Sequence, residues 1–283
     1  MTELDLPRLT SPWMLVAFEG WNDAADSATA VIDHLIERWG AEFAGEMDPQ
    51  SYYDFQVNRP RVEQDESGRR RISWPTTRWY VARPADSEVD VLLVRGIEPN
   101  LRWRSYVEEL LALAEVSGAQ AVVTLGALLA DTPHTRPIPV TGTVSDSALA
   151  RRMRLDESEY EGPTGINGVF ADMCSRSQIP HASLWAAVPH YVAQPPCPKA
   201  TLALLGRLED LMGTGLPLGD LVEEAQAWSR GVEELTSEDT EIAEYVEALE
   251  SARDTSELPE ASGDEIAREF ERYLRRRTRD GDD

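Results

Sequence analysis

The sequence predicts an α/β protein: a mostly parallel central sheet flanked by helices, followed by an α-helical C-terminal extension. Three observations carry that expectation. Short apolar runs of strand length recur at Trp13–Phe18, Val89–Val94, Gln120–Leu125 and His181–Val188, and continuous apolarity marks strands buried on both faces. Segments with apolar residues at helical spacing separate these runs. From about Pro198 onward only the helical spacing remains. Strands alternating with helices build a parallel sheet covered on both sides. The loops after the strands then gather along one edge, where such sheets bind ligands.

The first run ends in the turn Glu19-Gly20-Trp21-Asn22-Asp23. Ala28, Val31, Ile32, Leu35, Ile36 and Trp39 then repeat at helical spacing, with Asn22 or Asp23 as the cap and Gly40 as the stop. Tyr52–Val57 and Thr77–Arg83 read as strands. The charged stretch Arg59–Arg71 between them reads as a solvated hairpin or a long loop. The Val89–Val94 run ends at Arg95-Gly96 and leads into a helix with Trp103, Val107, Leu110, Leu111 and Ala114 on one face. The Gln120–Leu125 run ends at Gly126. A polar, Pro-rich loop spans Asp131–Pro139, and Val140–Val144 follows as a candidate strand. A helix after Gly165 carries Val169, Phe170, Met173 and Cys174 on its apolar face. Beyond the last strand, helices are marked by Leu202, Leu205 and Leu208, by Leu218 through Leu235, and by Ile242, Tyr245, Val246 and Leu249. Asp254–Gly263 reads as a linker. Ile266, Phe270, Tyr273 and Leu274 mark a last amphipathic helix ending in Arg275-Arg276-Arg277, whose charges suit a helix C-terminus. The expected division is an α/β domain over residues 1–213 and an acidic helical region over 214–283.

Composition narrows the function classes. The net charge is −24, so the chain repels phosphates and anionic lipid at long range. Neither nucleic acid nor membrane is an expected partner. No apolar run approaches the roughly 20 residues of a membrane span. Met1–Pro12 has neither the basic start nor the apolar stretch of a signal peptide, and the expected location is cytoplasmic. Cys174 and Cys197 lack a CxxC partner and read as buried thiols, not as a disulfide framework. Residues 201–283 hold 23 acidic and 9 basic side chains. Their apolar stripes nevertheless need a covering surface, either the α/β domain or another subunit.

Two candidate binding elements lie at strand ends. Glu19-Gly20-Trp21-Asn22-Asp23 offers a carboxylate and a stacking ring, or else a glycine turn with helix caps and a packed tryptophan. Gly162-Pro163-Thr164-Gly165-Ile166-Asn167-Gly168 precedes a helix, whose free backbone N–H groups suit an anion or carboxylate. The plainer reading is a turn with Thr164 as the cap. It lacks the Gly-Lys-Ser/Thr of a P-loop and follows no strand, so it is not a dinucleotide fingerprint. Arg95, Glu98, Thr132, His190 and Tyr191 join these residues at expected strand ends. Arg95 and the Gly165 turn would grip phosphate or carboxylate, and Trp21 or Tyr191 would stack a base. His134 and His190 are candidate general bases, against the commoner role of a hydrogen-bonded surface histidine. Histidines 34, 134, 181 and 190 show no HxxxH or HxH spacing, so no metal site is expected. No GxSxG elbow occurs. No catalytic residue is therefore assigned, and no cofactor is expected.

Several pieces carry a family resemblance together: Val16-Ala17-Phe18-Glu19-Gly20-Trp21-Asn22-Asp23-Ala24-Ala25, Leu92-Leu93-Val94-Arg95-Gly96-Ile97-Glu98-Pro99, Thr124-Leu125-Gly126-Ala127, Gly162-Pro163-Thr164-Gly165-Ile166 and Ala187-Val188-Pro189-His190-Tyr191. In that order they resemble the PAC2 family, the proteasome assembly chaperone-like proteins, over roughly residues 12–212. The bacterial branch, with its added helical C-terminal region, is the most similar. The resemblance implies a phosphorylase/hydrolase-like fold, self-assembly with a homotrimer as the expected state, and no settled biochemical activity. Family members in other lineages act as chaperones in building the proteasome α-ring. Some archaeal relatives end in a hydrophobic-Tyr-any tail that docks into proteasome pockets. This chain ends Arg279-Asp280-Gly281-Asp282-Asp283, so docking of that kind is not expected. No Gly-rich lid with a paired lysine supports the ATP-grasp carboligase label of some similar chains. Two functions stay open. One is a non-catalytic oligomeric scaffold or assembly chaperone with a protein partner. The other is a small-molecule enzyme or binder of the phosphorylase/hydrolase type, for a nucleoside, phosphate or carboxylate. An enclosed pocket with buried ionisable groups would favour the second, and a sheet edge filled by structural hydrogen bonds the first.

Overall fold

The computed structural model describes residues 6–65, 67–85, 87–144, 150–151, 155–158 and 160–257. In chain order its strands are β1 (Trp13–Glu19), β2 (Glu42–Glu46), β3 (Arg61–Gln64), β4 (Arg70–Ser73), β5 (Arg78–Ala82), β6 (Val91–Ile97), β7 (Ala121–Ala130), β8 (Val140–Val144), β9 (Asp156–Glu157) and β10 (His181–Pro189). The helices are α1 (Ser27–Trp39), α2 (Trp103–Ser117), α3 (Ile166–Arg176), α4 (Pro198–Met212), α5 (Leu221–Ser237) and α6 (Thr240–Glu257).

The four apolar runs become β6, β1, β7 and β10, side by side and parallel. They form the middle of one eight-stranded sheet in the order β2-β5-β6-β1-β7-β10-β8-β9. β5 and β2 extend it antiparallel on one side, and β8 does so on the other. β3 and β4 form a separate two-stranded ribbon.

Strand side chains alternate between faces, and here both faces are dry. Leu15 and Ala17 of β1 pack with Leu93, Val123 and Leu184 against α1 and α4. Met14, Val16 and Phe18 of the same strand pack with Leu92, Val94 and Val122 against α2 and α3. Burying a side chain such as Phe18 stabilises the fold by about 2–3 kcal/mol. α1 ends at Gly40 in the left-handed conformation, φ 57°, which glycine adopts without steric cost. Cys174 and Cys197 are buried free thiols, and burial pushes Cys174 up to about 12.

Three sequence expectations need correction. Tyr52–Val57 is not a strand. Asp48 caps a 3-10 turn at Pro49–Ser51, Asp54 accepts from Gln56 N at 2.8 Å to begin another turn, and Tyr52 and Tyr53 are buried instead beneath α2 and β6. β2 carries no apolar run, and the sequence predicts no strand there. It pairs with β5 through an irregularity near Gly45, where an added Cβ would meet the Trp79 ring at 2.7 Å. The linker read at Asp254–Gly263 begins inside α6, which continues to Glu257. The rest of that stretch and the last amphipathic helix lie outside the described residues. No described helix is long and apolar enough to cross a membrane.

Candidate functional site

The strand order reverses at β1, with β6 on one side and β7 on the other. Open α/β sheets bind ligands beyond the carboxyl ends of the strands at such a reversal. Here the chain's own side chains bond to one another. Gly20, at φ +121°, turns the chain sharply after β1. The backbone carbonyl of Asn22 then accepts from Ala127 N at 2.8 Å. Buried Asn22 donates from Nδ2 to Glu98 Oε1 at 2.9 Å. The same oxygen accepts from Ile166 N, the first amide of α3, at 2.9 Å. A carboxylate at a helix N-terminus is favourable by about 0.3–1 kcal/mol, so Glu98 holds the anion position that the glycine-rich turn offers. Thr164 is not the cap: Gly165 occupies that position, with no side-chain cap bond. A Cβ on Gly165 would lie 2.3 Å from Asn22 Oδ1. Buried Asn167 ties α3 to β7 by donating from Nδ2 to the Leu125 carbonyl at 3.1 Å.

Asp23 faces α1. Its carboxylate accepts from Ala28 N at 2.6 Å and Thr29 N at 3.3 Å, and from the Thr29 hydroxyl. Burial nevertheless raises the group to about 6 against these bonds. Desolvation therefore outweighs the capping contacts.

Arg95 lies on the other face of the sheet from α3. It follows Leu93, which packs toward α1, at strand period, and its guanidinium pairs with Asp33 of α1 at 2.7 Å and with Glu19 at 2.6 Å. Burial opposes its charge, but the two carboxylates together outweigh burial and hold it protonated. They also neutralise it. The expected joint grip of Arg95 and the α3 N-terminus on one anion is not assembled.

His134 and His190 form a second cluster, at the ends of β7 and β10 beneath α5 and α6. His134 is buried. Its Nδ1 lies 2.9 Å from the Tyr191 hydroxyl and its Nε2 3.0 Å from Glu233 Oε2. The hydroxyl also accepts from His134 N at 2.7 Å. Burial depresses the imidazole pKa. A neutral ring satisfies all partners if Nε2–H donates to Glu233 and Tyr191 donates to Nδ1. A carboxylate–imidazole–hydroxyl chain activates a nucleophile when the hydroxyl is poised to ionise, but burial pushes Tyr191 up to about 12. His190, half-exposed, pairs with Asp131 at 3.3 Å. Tyr245 of α6 donates to the same Asp131 at 3.1 Å and packs edge-on against His190 and Tyr191. Arg136 reaches α6 from the loop after β7, bonding Asp254 at 2.8 and 2.9 Å and Glu250 at 3.2 Å.

The candidate residues thus fall into separate groups. Asn22, Glu98, Gly165 and Asn167 meet at the reversal. Glu19 and Arg95 pair across from them, and His190 and Tyr191 sit under α6. Trp21 joins none of these contacts and is 70% exposed. Thr132 is buried, and Thr132 Oγ1, Asn22 Oδ1 and Asn167 Oδ1 have no hydrogen-bond partner among the described residues. A groove of about 550 Å³ lies elsewhere, between β2, β5 and the β3–β4 ribbon, lined in part by Phe43, Arg71, Trp74 and Arg78. Among the described residues no group of three or more His, Cys, Asp or Glu side chains is placed to hold a metal. Asp33, Arg136 and Glu233 carry no signal in the sequence, and Tyr245 is marked there only as part of a helix face. Glu233 lies 99 residues from His134, and no local pattern links them.

A mostly parallel sheet between two helical layers, with a glutamate seated on a helix N-terminus where the strand order reverses, defines an α/β protein. The PAC2 family model matches residues 17–236, and the chain belongs to that family. Among solved structures, a PAC2 family protein from Streptomyces avermitilis is 56% identical, with a TM-score of 0.79 over 83% of this chain and 99% of that one. A proteasome-assembly chaperone homologue from Mycobacterium tuberculosis is 51% identical, with a TM-score of 0.76 over 83% and 99%. An archaeal proteasome activator from Pyrococcus furiosus is 16% identical, with a TM-score of 0.64 over 82% and 96%, a likeness of fold alone. A comparison with curated proteins found no match.

Proposed function

We propose that this chain is a non-catalytic, self-associating protein, a homotrimer, that serves as a scaffold or chaperone-like factor in the assembly of other proteins. The observation that carries this reading is Glu98. Its carboxylate takes up the helix N-terminus and the Asn22 amide at the position where a phosphate or carboxylate ligand would bind. The doubly paired Arg95 and the clamped His134 point the same way. The relative from Mycobacterium tuberculosis, a proteasome-assembly chaperone homologue, makes proteasome subunits the partner class to try first. The residues 1–213 and 214–283 serve, on this reading, as the body and the partner-facing helical region.

Native mass spectrometry of the full chain, purified gently from its own cells, tests the proposal. A homo-oligomer, bare or bound to another protein, supports it. A monomer carrying a small molecule of defined mass overturns it. That second outcome would fit the alternative, a small-molecule binder of the phosphorylase/hydrolase type. One observation favours the alternative: Asn22 Oδ1, Asn167 Oδ1 and Thr132 Oγ1 are buried acceptors without partners among the described residues, and such groups cost about 1–3 kcal/mol each. On that reading a ligand donor satisfies them, and Asn167→Ala abolishes any ligand-induced thermal shift.

A further inference from the structure

α5 and α6 form a helical hairpin. Glu233 of α5 reaches His134, and Glu250 of α6 reaches Thr135 and Arg136. A straight helix would set two residues 17 positions apart about 25 Å from each other. Here their carboxylates meet neighbouring residues of one loop, so the chain turns back between them. The turn is two residues, Glu238 and Asp239. Glu238 already has helical backbone angles, φ −77° and ψ −19°. Residues 236–242 contain neither glycine nor proline, the residues least compatible with a helix interior. Asp239 holds the break: its carboxylate caps α6 by accepting from Glu241 N at 3.0 Å and Ile242 N at 3.3 Å.

α6 is lightly attached to its own chain. Among its described residues only Val246 is buried, and none joins the apolar cores on the sheet. α4, by comparison, buries seven residues. What holds α6 is a set of polar and aromatic contacts to the loop after β7 and the end of β10. Tyr245 donates to Asp131 at 3.1 Å and lies edge-on to His190 and Tyr191. Glu250 accepts from Thr135 and Arg136, and Asp254 accepts from Arg136 at 2.8 and 2.9 Å. Exposed ion pairs of this kind are individually weak.

We infer that α6 is exchanged between copies of this chain. With Asp239 in a helical conformation, α5 and α6 become one helix over 221–257, and α6 leaves its seat for the same seat on a second copy. The occupant follows from the seat. Its bonds to Tyr245, Glu250 and Asp254 are those made within one chain, and the α6 of another copy makes them unchanged. Straightening also supplies α6's first amides with backbone acceptors, which offsets the loss of the Asp239 cap. Exchange of an identical element is a low-cost route to self-association, and passed from each copy to the next it closes into a ring when the rotation permits. The inference rests on the self-association proposed above and assigns the element that carries it.

Native mass spectrometry and light scattering on the full chain test this. Proline suits the first position of a helix and breaks a helix interior. Thr240→Pro therefore keeps the hairpin and forbids the single helix, and should weaken association at least about tenfold. Asp239→Ala removes the cap and should strengthen association about fivefold. Charge reversal adds a readout that a contact within one chain does not give. Arg136→Glu should weaken association, as should Glu250→Arg/Asp254→Arg. Mixed, each chain supplies the partner the other lacks, and oligomers containing both should form; in a ring of three, two of the three contacts are then matched. Circular dichroism checks that each variant stays folded. A monomeric wild type overturns the self-association reading and this inference with it. An oligomeric wild type whose association survives Thr240→Pro and both charge reversals overturns this inference alone. So does a loss of association in the reversed chains that mixing fails to restore.

Discussion

Replacing Asp23 by asparagine should change how stability depends on pH, in a direction that decides between two opposing effects. A carboxylate at a helix N-terminus is stabilised by the dipole and by amide donors, which lowers its pKa. Burial of the same group raises it. In Asp23 burial wins, and the carboxyl rises from 3.8 to about 6. Each tenfold in proton affinity is about 1.4 kcal/mol, so the rise corresponds to about 3 kcal/mol. The sign follows from linkage. Below about pH 3 both folded and unfolded chains hold the proton, and the full contribution is present. Between about pH 3 and 6 the unfolded chain releases its proton while the folded one keeps it, and the contribution falls. Above pH 6 it is gone. The asparagine amide does not titrate, so the stability difference, wild type minus Asp23→Asn, should decline by about 3 kcal/mol from pH 3 to pH 7 and then level. Urea unfolding of both proteins at matched concentration and half-unit pH steps measures it, and subtraction removes every other titrating group. A difference that rises with pH would show that capping outweighs burial. A flat difference would show that the carboxylate is solvated when folded.

Three further outcomes are expected. Glu98→Ala leaves the Asn22 amide and the first amide of α3 without their acceptor, and should cost about 2 kcal/mol in denaturant unfolding; Glu98→Gln keeps an acceptor oxygen and should cost less than half as much. Gly165→Ala places a methyl 2.3 Å from Asn22 Oδ1 and should destabilise by more than about 2 kcal/mol, while Asn22→Gly in the same chain should recover part of that loss. Arg136→Ala removes the bonds to Glu250 and Asp254. These are partly exposed, so global stability should fall by less than about 1 kcal/mol, yet amides of α6 should exchange about five- to tenfold faster.

The sheet was legible because its central strands are buried on both faces, which leaves runs such as Leu92-Leu93-Val94 with no polar interruption. Gly40 and Gly165 marked the end of one helix and the start of another for a reason that acts within a few residues. β2 was not legible: Glu42-Phe43-Ala44-Gly45-Glu46 has one large apolar side chain, and its extended form comes from pairing with β5 rather than from its own preference. Tyr52 and Tyr53 looked strand-like because aromatic residues favour strands. Their burial against Tyr106 and Ile97 needs partners about 45 residues or more away. The same separation limits the site. The sequence places Glu98 and Arg95 near strand ends, but cannot say that one turns to α3 and the other to Asp33. That difference is the two-residue alternation of a strand combined with which helix covers which face.

The bond between Asn22 and Glu98, and the close approach of Asn22 to Gly165, also bear on how this family changes over time. One carboxylate oxygen joins segments 76 and 68 residues apart. A side chain at 165 is tolerated only if 22 becomes smaller. A shorter side chain at 98 leaves both 22 and the start of α3 in need of a new acceptor. Positions 22, 98 and 165 should therefore drift as a unit in related chains, with substitutions at one accompanied by substitutions at the others. Trp21 beside them, tied to nothing in its own chain among the described residues, should vary independently of all three.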